Sequence, residues 1–579
     1  MKTRRDNLKY ELIGKNNLFN PLEQVLINRG VKNPTEYLKS FEDKSVVNHY
    51  SKLKNIDKAV GCLLKHLDRN NKIWIQVDSD FDGFSSSAAL INYLKAIDYT
   101  NIEWRLHEGK EHGVKSKHVP DDVDLVIVPD AGSSDYNEHK KLCDRGKDII
   151  ILDHHETEKE SGYAIVVNNQ ISPDYPNKNF SGVGVVYKFL EALDDVLNIE
   201  LADNYLDLVA VGNIGDMMSL HEKETRYYIT QGLKNIKNPM LKDVFLEQEF
   251  STKGKQNPTT VSFYIAPLFN ATIRSGEKEE KEQVFQSLLD DGSSEKFYER
   301  GKTYEPLTTN TIRLMKRVRV RQNKARDKGV AKIEKKIEEK NLLENKLLVV
   351  EIGDILEKNF TGLVANILQN KYKRPVLLLK HNVVDNMMSG SARGYEKGTI
   401  KDFKQYLNNT QMFEFAEGHS NAFGAGIYLD NLIKVVDYIN EDLADIEIDE
   451  SIYEVDFVIP SNSMRFDIIF ELDKAMDIWG KDIEEPMLAI EKLEVERRNI
   501  KVIGKNENVI KFSSNGIEYI KFKADDEDKD NLINGKSDDL VELEVIGRAS
   551  INEWRGNKTG QIIIEDYIVK DIKKQELVF

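Results

Sequence analysis

Cysteine is nearly missing from this chain: Cys62 and Cys143 are the only two in 579 residues. That excludes a disulfide framework and a cysteine-ligated zinc or iron–sulfur centre. Long hydrophobic runs are missing too, since no apolar stretch approaches the ~18 residues that a membrane helix needs. The amino-terminal stretch MKTRRDNLKYELIGKNN is basic but has no apolar core, so no secretory leader is expected. Internal repeats and low-complexity segments are lacking. There is no excess of positive charge either: 82 Lys and Arg stand against 98 Asp and Glu, a net of −16. A purely electrostatic coat for nucleic acid is therefore excluded, and any contact with a polyanion must come from a local basic surface. What remains, 40% hydrophobic and 31% charged residues, is the composition of a globular protein of several domains. The expectation is a monomeric cytoplasmic protein with no membrane contact.

Short β-rich apolar runs occur at KIWIQV (72–77), DLVIVPD (124–130) and DIIILDHH (148–155), and acidic residues close or follow them. Helical patterns lie in SSSAALINYLKAI (85–97) and SGVGVVYKFLEALDDVL (181–197), and YLDLVAVGNIGDMMSL (205–220) reads as a helix that presents Asp216. Strands alternating with helices predict a parallel, doubly wound α/β sheet. Such a sheet binds ligands beyond the carboxyl ends of its strands, which is where this chain places Asp and His.

A second α/β unit follows, with strands LLVVEI (347–352) and RPVLLLK (374–380) about a helix near 361–372. From about 450 the pattern becomes alternating strands broken by Gly, Asn and charge, which predicts an all-β, OB-like barrel of about five strands. Trp479, Arg497, Arg498, Lys501, Lys505, Lys511, Tyr519, Lys521, Trp554 and Arg555 lie in this module. Basic residues interleaved with aromatics suit base stacking and backbone tracking, although strand cores use the same aromatics. The acidic DDEDKD (525–530) reads as an outward loop. Between the α/β units, residues 307–340 form a polar helical pattern with twelve basic and four acidic residues, a net of +8 in an acidic chain. It reads as a solvated connector helix, a basic wall facing a polyanion, or both. The expected domains are 1–305, a connector at 306–345, 346–449 and 450–579.

VDSDFDGFSSS (77–87) carries Asp78, Asp80 and Asp82 at alternate positions and then Gly83. An EF-hand loop also begins this way, but its twelfth position would be Ala89 where a bidentate Glu belongs, and a strand precedes it. Asp130 follows the next strand, with Ala131 and Gly132 after it. Asp153, His154 and His155 end the third, and Asp216 comes later. So many carboxylates at one edge repel unless compensated, and divalent cations are the natural remedy. Oxygen ligands with one or two imidazoles and no thiolate suit Mn²⁺ or Mg²⁺.

Asp80-x-Asp82, Asp130, Asp153-His154-His155 and Asp216, in this order, resemble the motifs of the DHH phosphoesterases, and within them the RecJ single-stranded-DNA exonucleases. The likeness covers almost the whole chain and includes NRGV (28–31), VNNQISPDYPNKNFSGVGVVYKFL (167–190), IAPLFNATIR (265–274), MMSGSARG (387–394) and EGHSNAFGAG (417–426). It implies a DHH domain, a DHHA1 domain, a long connecting helix and a carboxyl-terminal OB-like barrel. It implies two metal ions, one held by Asp82, Asp130, His154 and Asp216 and the other by Asp80 and Asp130. Asp78 and Asp153 are then nearby ligands or outer partners, and His155 orients ligands or touches phosphate. Some branches place His four residues before the position of Asp80; here it is Gln76, which implies a weaker first metal site. The family's Arg near RLHEGKEHGV (105–114) is not clearly kept; Arg105 and His107 are the two candidates for its place, and both stay open.

In the second unit the resemblance assigns Gly418 and His419 to the scissile phosphate, with Glu417 where the family has Gly. Ser391 and Arg393, joined by Arg374, match a pocket for the terminal 5′-phosphate, and Asn270 with Arg274 match a backbone contact. The implied activity is 5′→3′ hydrolysis of single-stranded DNA in recombination and repair, in a bacterial cell or a phage-infected host. Implied partners are a single-stranded-DNA-binding protein or a helicase. Two alternatives stay open: a small-substrate DHH phosphodiesterase acting on nanoRNA or a cyclic dinucleotide, and a catalytically inactive DHH scaffold in a replication assembly.

Overall fold

The computed structural model describes residues 8–108, 111–356, 360–446 and 452–573. The chain forms two compact units: Val25–Arg319 with Lys474–Glu485, and Met1–Gln24, Val320–Asp473 and Pro486–Phe579.

The first unit holds a five-stranded parallel sheet of β1 (Ile73–Val77), β2 (Ile102–Leu106), β3 (Leu125–Pro129), β4 (Asp148–Asp153) and β5 (Ile165–Asn168). Its order is β2-β1-β3-β4-β5. β1 and β3 are buried at every residue, as continuous branched apolar runs are in a sheet covered on both faces. β2 lies on one side of β1 and β3 to β5 on the other. This reversal opens a crevice beyond the carboxyl ends of β1 and β3.

Around the sheet run α1 (Phe81–Ala96), α2 (Gly182–Leu197), α3 (Leu206–Gly215) and α4 (Ala266–Ser275). α1 starts at Phe81, earlier than the predicted Ser85, because Asp80 caps it: its Oδ1 accepts the Gly83 N–H at 2.9 Å. α3 stops at Gly215, so Asp216 is its carboxyl-terminal cap and not a residue within a helix to 220. Phe81 stacks on Phe269 with 4.3 Å between ring centroids, which pins α4 beside the start of α1. The segment Lys474–Glu485 is tied in by Leu220 N–H to Lys481 O at 3.0 Å and Arg226 Nη2 to Asp477 O at 2.7 Å. Trp479, assigned from sequence to the barrel module as a base-stacking or a core aromatic, is buried in this unit instead. A short hairpin, β6 (Glu295–Tyr298) and β7 (Thr303–Pro306), precedes α5 (Leu307–Glu339).

α5 is the predicted connector, one unbroken basic helix. Arg313 pairs with Glu305 and Lys316 with Glu247, whereas Arg317, Lys324, Lys328 and Lys332 have no ion-pair partner among the described residues. In the second unit, β8 (Leu348–Glu351), β9 (Val376–Asn382), β10 (Met387–Arg393), β11 (Phe415–His419) and β12 (Ala422–Tyr428) form a mixed sheet in the order β11-β12-β10-β9-β8. α6 (Thr361–Tyr372) and α7 (Leu429–Asp442) accompany it.

The carboxyl-terminal sheet has seven strands instead of about five. They are β13 (Phe457–Pro460), β14 (Leu488–Glu496), β15 (Lys501–Ile503), β16 (Val509–Ser514), β17 (Ile517–Phe522), β18 (Leu540–Trp554) and β19 (Asn557–Lys573), ordered β13-β14-β18-β19-β17-β16-β15. The strand Lys9–Leu12 pairs in parallel with Ile452–Val455 beside it. DDEDKD is not an outward loop: Asp525 and Asp528 form a capping box that starts the helix Asp526–Leu532. Tyr519 is buried and stacked on Phe512, so it belongs to the core and not to a base-stacking surface. Among the described residues no helix is long and apolar enough to cross a membrane.

Candidate active site

Beyond the carboxyl ends of β1, β3 and β4 the chain turns sharply and leaves carboxylates and imidazoles in one crevice. Asp130 follows β3 with φ of +66°, a left-handed conformation that Asp tolerates better than most residues. Its N–H donates to Leu152 O at 2.7 Å and holds the turn against β4. Asp130 is buried, and its Oδ1 has no hydrogen-bond donor. His154 Nε2 lies 3.3 Å from that oxygen and 3.4 Å from Asp216 Oδ2, and is itself buried without a hydrogen-bond partner. Asp82 is buried against the start of α2, accepting from Gly182 N–H at 2.7 Å, Ser181 Oγ–H at 3.0 Å and Val183 N–H at 3.3 Å. Backbone crowds these carboxylates closely. A Cβ on Gly182 would lie 2.2 Å from Asp130 Oδ1, and one on Gly212 would lie 2.4 Å from Asp82 Oδ1.

Ligand-type atoms of Asp78, Asp80 and Asp130 lie within 4.8 Å of one another, as do those of Asp82, His154 and Asp216 and those of Asp130, His154 and His155. Asp130 and His154 each belong to two of these groups. Burial and the nearby Asp82 push Asp216 up to about 8 and Asp80 to about 6, and hold Asp130 well above the usual carboxylate range. Burial lowers the His154 pKa, which favours the neutral, ligand-ready ring. Carboxylates that resist sharing a charge, a neutral imidazole and two orphaned buried atoms fit divalent cations with oxygen and nitrogen ligands, such as Mn²⁺ or Mg²⁺.

Asp153, expected as a nearby ligand or an outer partner, is engaged by donors on both oxygens. Its Oδ1 accepts from the His154 N–H at 2.7 Å, the His155 N–H at 3.1 Å and His155 Nδ1 at 2.8 Å, and its Oδ2 accepts from the Ser133 N–H at 2.9 Å. So engaged, it fixes the His155 ring and the backbone of both histidines. Burial alone would lower the His155 pKa, but the bond to Asp153 outweighs it and lifts the ring to about 9.

Asp78 faces the loop after β2. His112 Nδ1 lies 2.9 Å and His107 Nε2 3.5 Å from its Oδ1. The sequence singles out neither contact, because both arise from a loop whose path local pattern does not set. Gln76 Nε2 donates to Arg105 O at 3.0 Å and lies 3.4 Å from His107 Nδ1. Arg105 itself pairs with Glu108 at 3.0 Å; residues 109 and 110 of this stretch lie outside the described residues. On α4, Asn270 and Arg274 are one turn apart. The Arg274 charge acts on Asp80, lowering its pKa against the larger effect of burial, and Asn270 Oδ1 is buried without a donor.

In the second unit, Ser391 and Arg393 of β10 pair with Gly424 and Ala422 of β12, which pair in turn with Glu417 and His419 of β11. Directly opposed residues share a sheet face, so Ser391, Arg393, Glu417 and His419 lie on one face, with Gly418 between the last two. Ser391 Oγ is 2.8 Å from Thr361 Oγ1, and a Cβ on Gly362 would lie 2.5 Å from Arg393 Nη2, so the first turn of α6 covers this face. Arg393 Nε is buried without an acceptor, and burial lowers the guanidinium pKa. A helix amino terminus beside an arginine with no carboxylate partner among the described residues suits an anion. Arg374 does not join this set. It is buried and donates to Leu343 O at 2.8 Å and Asn345 O at 2.7 Å, holding a loop at the start of β9.

Residues 72–213 match the model of the DHH family, N-terminal domain, and residues 455–566 match the RecJ OB domain. The SPbeta prophage protein YorK of Bacillus subtilis, which carries the name of a single-strand DNA-specific exonuclease, is 47% identical over 580 residues, 99% of this chain and 100% of YorK. The single-stranded-DNA-specific exonuclease RecJ of Bacillus subtilis is 26% identical over 550 residues, 90% of this chain and 64% of that protein. Among solved structures, RecJ from Thermus thermophilus in complex with Mn²⁺ superposes with a TM-score of 0.71 at 20% identity, covering 99% of this chain and 80% of that one. The crevice of carboxylates at the edge of a DHH sheet, the OB module and a full-length relative together place the chain in one family: it belongs to the RecJ-type DHH exonucleases.

Proposed function

We propose that this protein hydrolyses single-stranded DNA from its 5′ end, with two divalent ions, Mn²⁺ or Mg²⁺, in recombination or repair. The observation that carries the reading is the pair of orphaned atoms, Asp130 Oδ1 and His154 Nε2, at the centre of overlapping carboxylate groups. Asp82, Asp130, His154 and Asp216 would hold one ion and Asp80 and Asp130 the other, while Asp153 orients His154 and His155. Bound there, the ions would supply an activated water and neutralise charge developing on the phosphate. The chain's own residues do the rest. Arg274 offers a cation beside Asp80, Asn270 an amide on the same helix, and His155 an imidazole held by Asp153. The face of Ser391, Arg393, Gly418 and His419 receives a phosphate of the strand, with the terminal 5′-phosphate assigned to Ser391 and Arg393. The basic face of α5 tracks the backbone. Function divides as 1–305 for catalysis, 306–345 as connector, 346–449 for the strand end and 450–579 for strand binding. The protein acts as a cytoplasmic monomer that takes its strand from a single-stranded-DNA-binding protein or a helicase.

End-labelled single-stranded and duplex substrates test this. Release of 5′-terminal nucleotides from single strands with Mn²⁺ or Mg²⁺, and none with chelator, is the expected result. Faster cleavage of a dinucleotide than of a long strand would favour the small-substrate phosphodiesterase, and no Mn²⁺ uptake by calorimetry would favour the inactive scaffold.

A further inference from the structure

We propose that His112 is a second substrate-facing imidazole of this active site, oriented by Asp78 and set beside His155 to hold a phosphate oxygen of the strand; this rests on the nuclease reading. The arrangement around Asp153 is repeated around Asp78. In the first case a buried carboxylate holds His155 Nδ1 at 2.8 Å and the ring is 47% exposed. In the second, Asp78, with its side chain 5% exposed, holds His112 Nδ1 at 2.9 Å through Oδ1 and 3.0 Å through Oδ2, and that ring is 59% exposed. The two imidazoles meet edge to face, 5.6 Å between centroids. Each carboxylate thus fixes the inner nitrogen of a ring and leaves its outer nitrogen to the crevice.

Behind Asp78 packs a third, buried imidazole that makes no hydrogen bond to it. His107, 1% exposed, aims Nε2 at its Oδ1 from 3.5 Å, and Gln76 sits 3.4 Å from the other nitrogen of His107. Gln76 therefore serves an imidazole supplied from the neighbouring strand's loop. Three alternatives to a substrate role are weaker. His112 is not placed with the ligand groups: the cluster with Asp78 contains Asp80 and Asp130 but neither His107 nor His112. Nor is the ring needed to tie its loop, which is already held by Val114 N–H to Asp135 at 2.8 Å and Ser116 N–H to Glu138 at 2.7 Å. It is also too exposed for a core histidine. The contact with Asp78 engages Nδ1 and leaves Nε2 of an exposed ring as the atom that can meet a phosphate oxygen.

The test uses the full chain with His112→Ala and His112→Asn. The asparagine amide can keep the bond to Asp78 but has no outer nitrogen. Three readouts are compared: kcat/KM on a 5′-phosphorylated single strand, Mn²⁺ binding by calorimetry without DNA, and strand binding in Ca²⁺ by fluorescence anisotropy. Both variants are expected to lose about 10²-fold in kcat/KM, to bind the strand more weakly and to bind Mn²⁺ as the wild type does. Wild-type kcat/KM in His112→Asn would reduce His112 to a loop anchor and overturn the proposal. Weakened Mn²⁺ binding in His112→Ala would make it a ligand and overturn it too. A wild-type protein inert toward DNA would defeat the nuclease reading separately; the anisotropy arm then decides, and unchanged strand binding in both variants would overturn the role of His112.

Discussion

Asp130 concentrates the site's physics in one side chain. Its left-handed backbone, its burial and its undonated Oδ1 are each unfavourable alone, and divalent cations on the two ligand groups that share Asp130 would compensate them together. Asp130→Ala is therefore expected to lower hydrolysis by at least about 10²–10³-fold while strand binding, followed by anisotropy, persists; near-normal turnover would refute its bridging place. The same crowding sets a pH dependence. A group whose pKa is raised on folding adds stability that is lost as pH climbs through the folded value. Asp216 at about 8 and His155 at about 9 both act in this sense above pH 6.5. Chelated protein should thus melt at a lower temperature at pH 9 than at pH 6.5, and added Mn²⁺ should raise the melting temperature more at the higher pH. Scanning calorimetry at the two values checks both signs.

At the scale of elements, the site depends on helix ends. α1 begins on Asp80, α2 presents its first N–H groups to Asp82, and α3 ends on Asp216. The tight approach of α2 requires Gly182, where a Cβ would fall on Asp130 Oδ1. Gly182→Ala should cost about 1–3 kcal/mol of stability through overpacking and most of the activity, since the shift falls on the shared carboxylate. Unchanged turnover with an unchanged melting temperature would show that the turn can yield. The acid-ended strands are legible in the sequence because burial on both faces imposes a continuous apolar run. The contacts of His107 and His112 are not, because they depend on how a surface loop folds back over β1.

Across the whole molecule, chain order and structural unit do not coincide. The segment Lys474–Glu485 carries Trp479 into the unit of residues 25–319, and the strand Lys9–Leu12 pairs with Ile452–Val455. Truncation after residue 449 removes Trp479 from that unit's core, whereas truncation after Glu485 spares it. The shorter protein should unfold at lower temperature and be digested faster within 25–319. The longer one should keep Mn²⁺ binding and lose affinity mainly for long strands. Equal melting of the two would argue that Trp479 contributes little, and full affinity for long strands would argue against the OB module as a binding element.

The order of motifs, the parallel sheet, the basic connector and the change to β rhythm near residue 450 follow from the sequence alone, since each is written in local periodicity or in residues neighbouring one another along the chain. Tertiary structure alone decided which donors engage Asp153, that Arg374 and Trp479 are buried, and that Asp78 is bonded to His112 with His107 packed close by. For Arg374, Trp479 and Asp78 the deciding groups come from elsewhere in the chain, while for Asp153 it is how its neighbours His154 and His155 turn toward it, and local pattern carries no record of either.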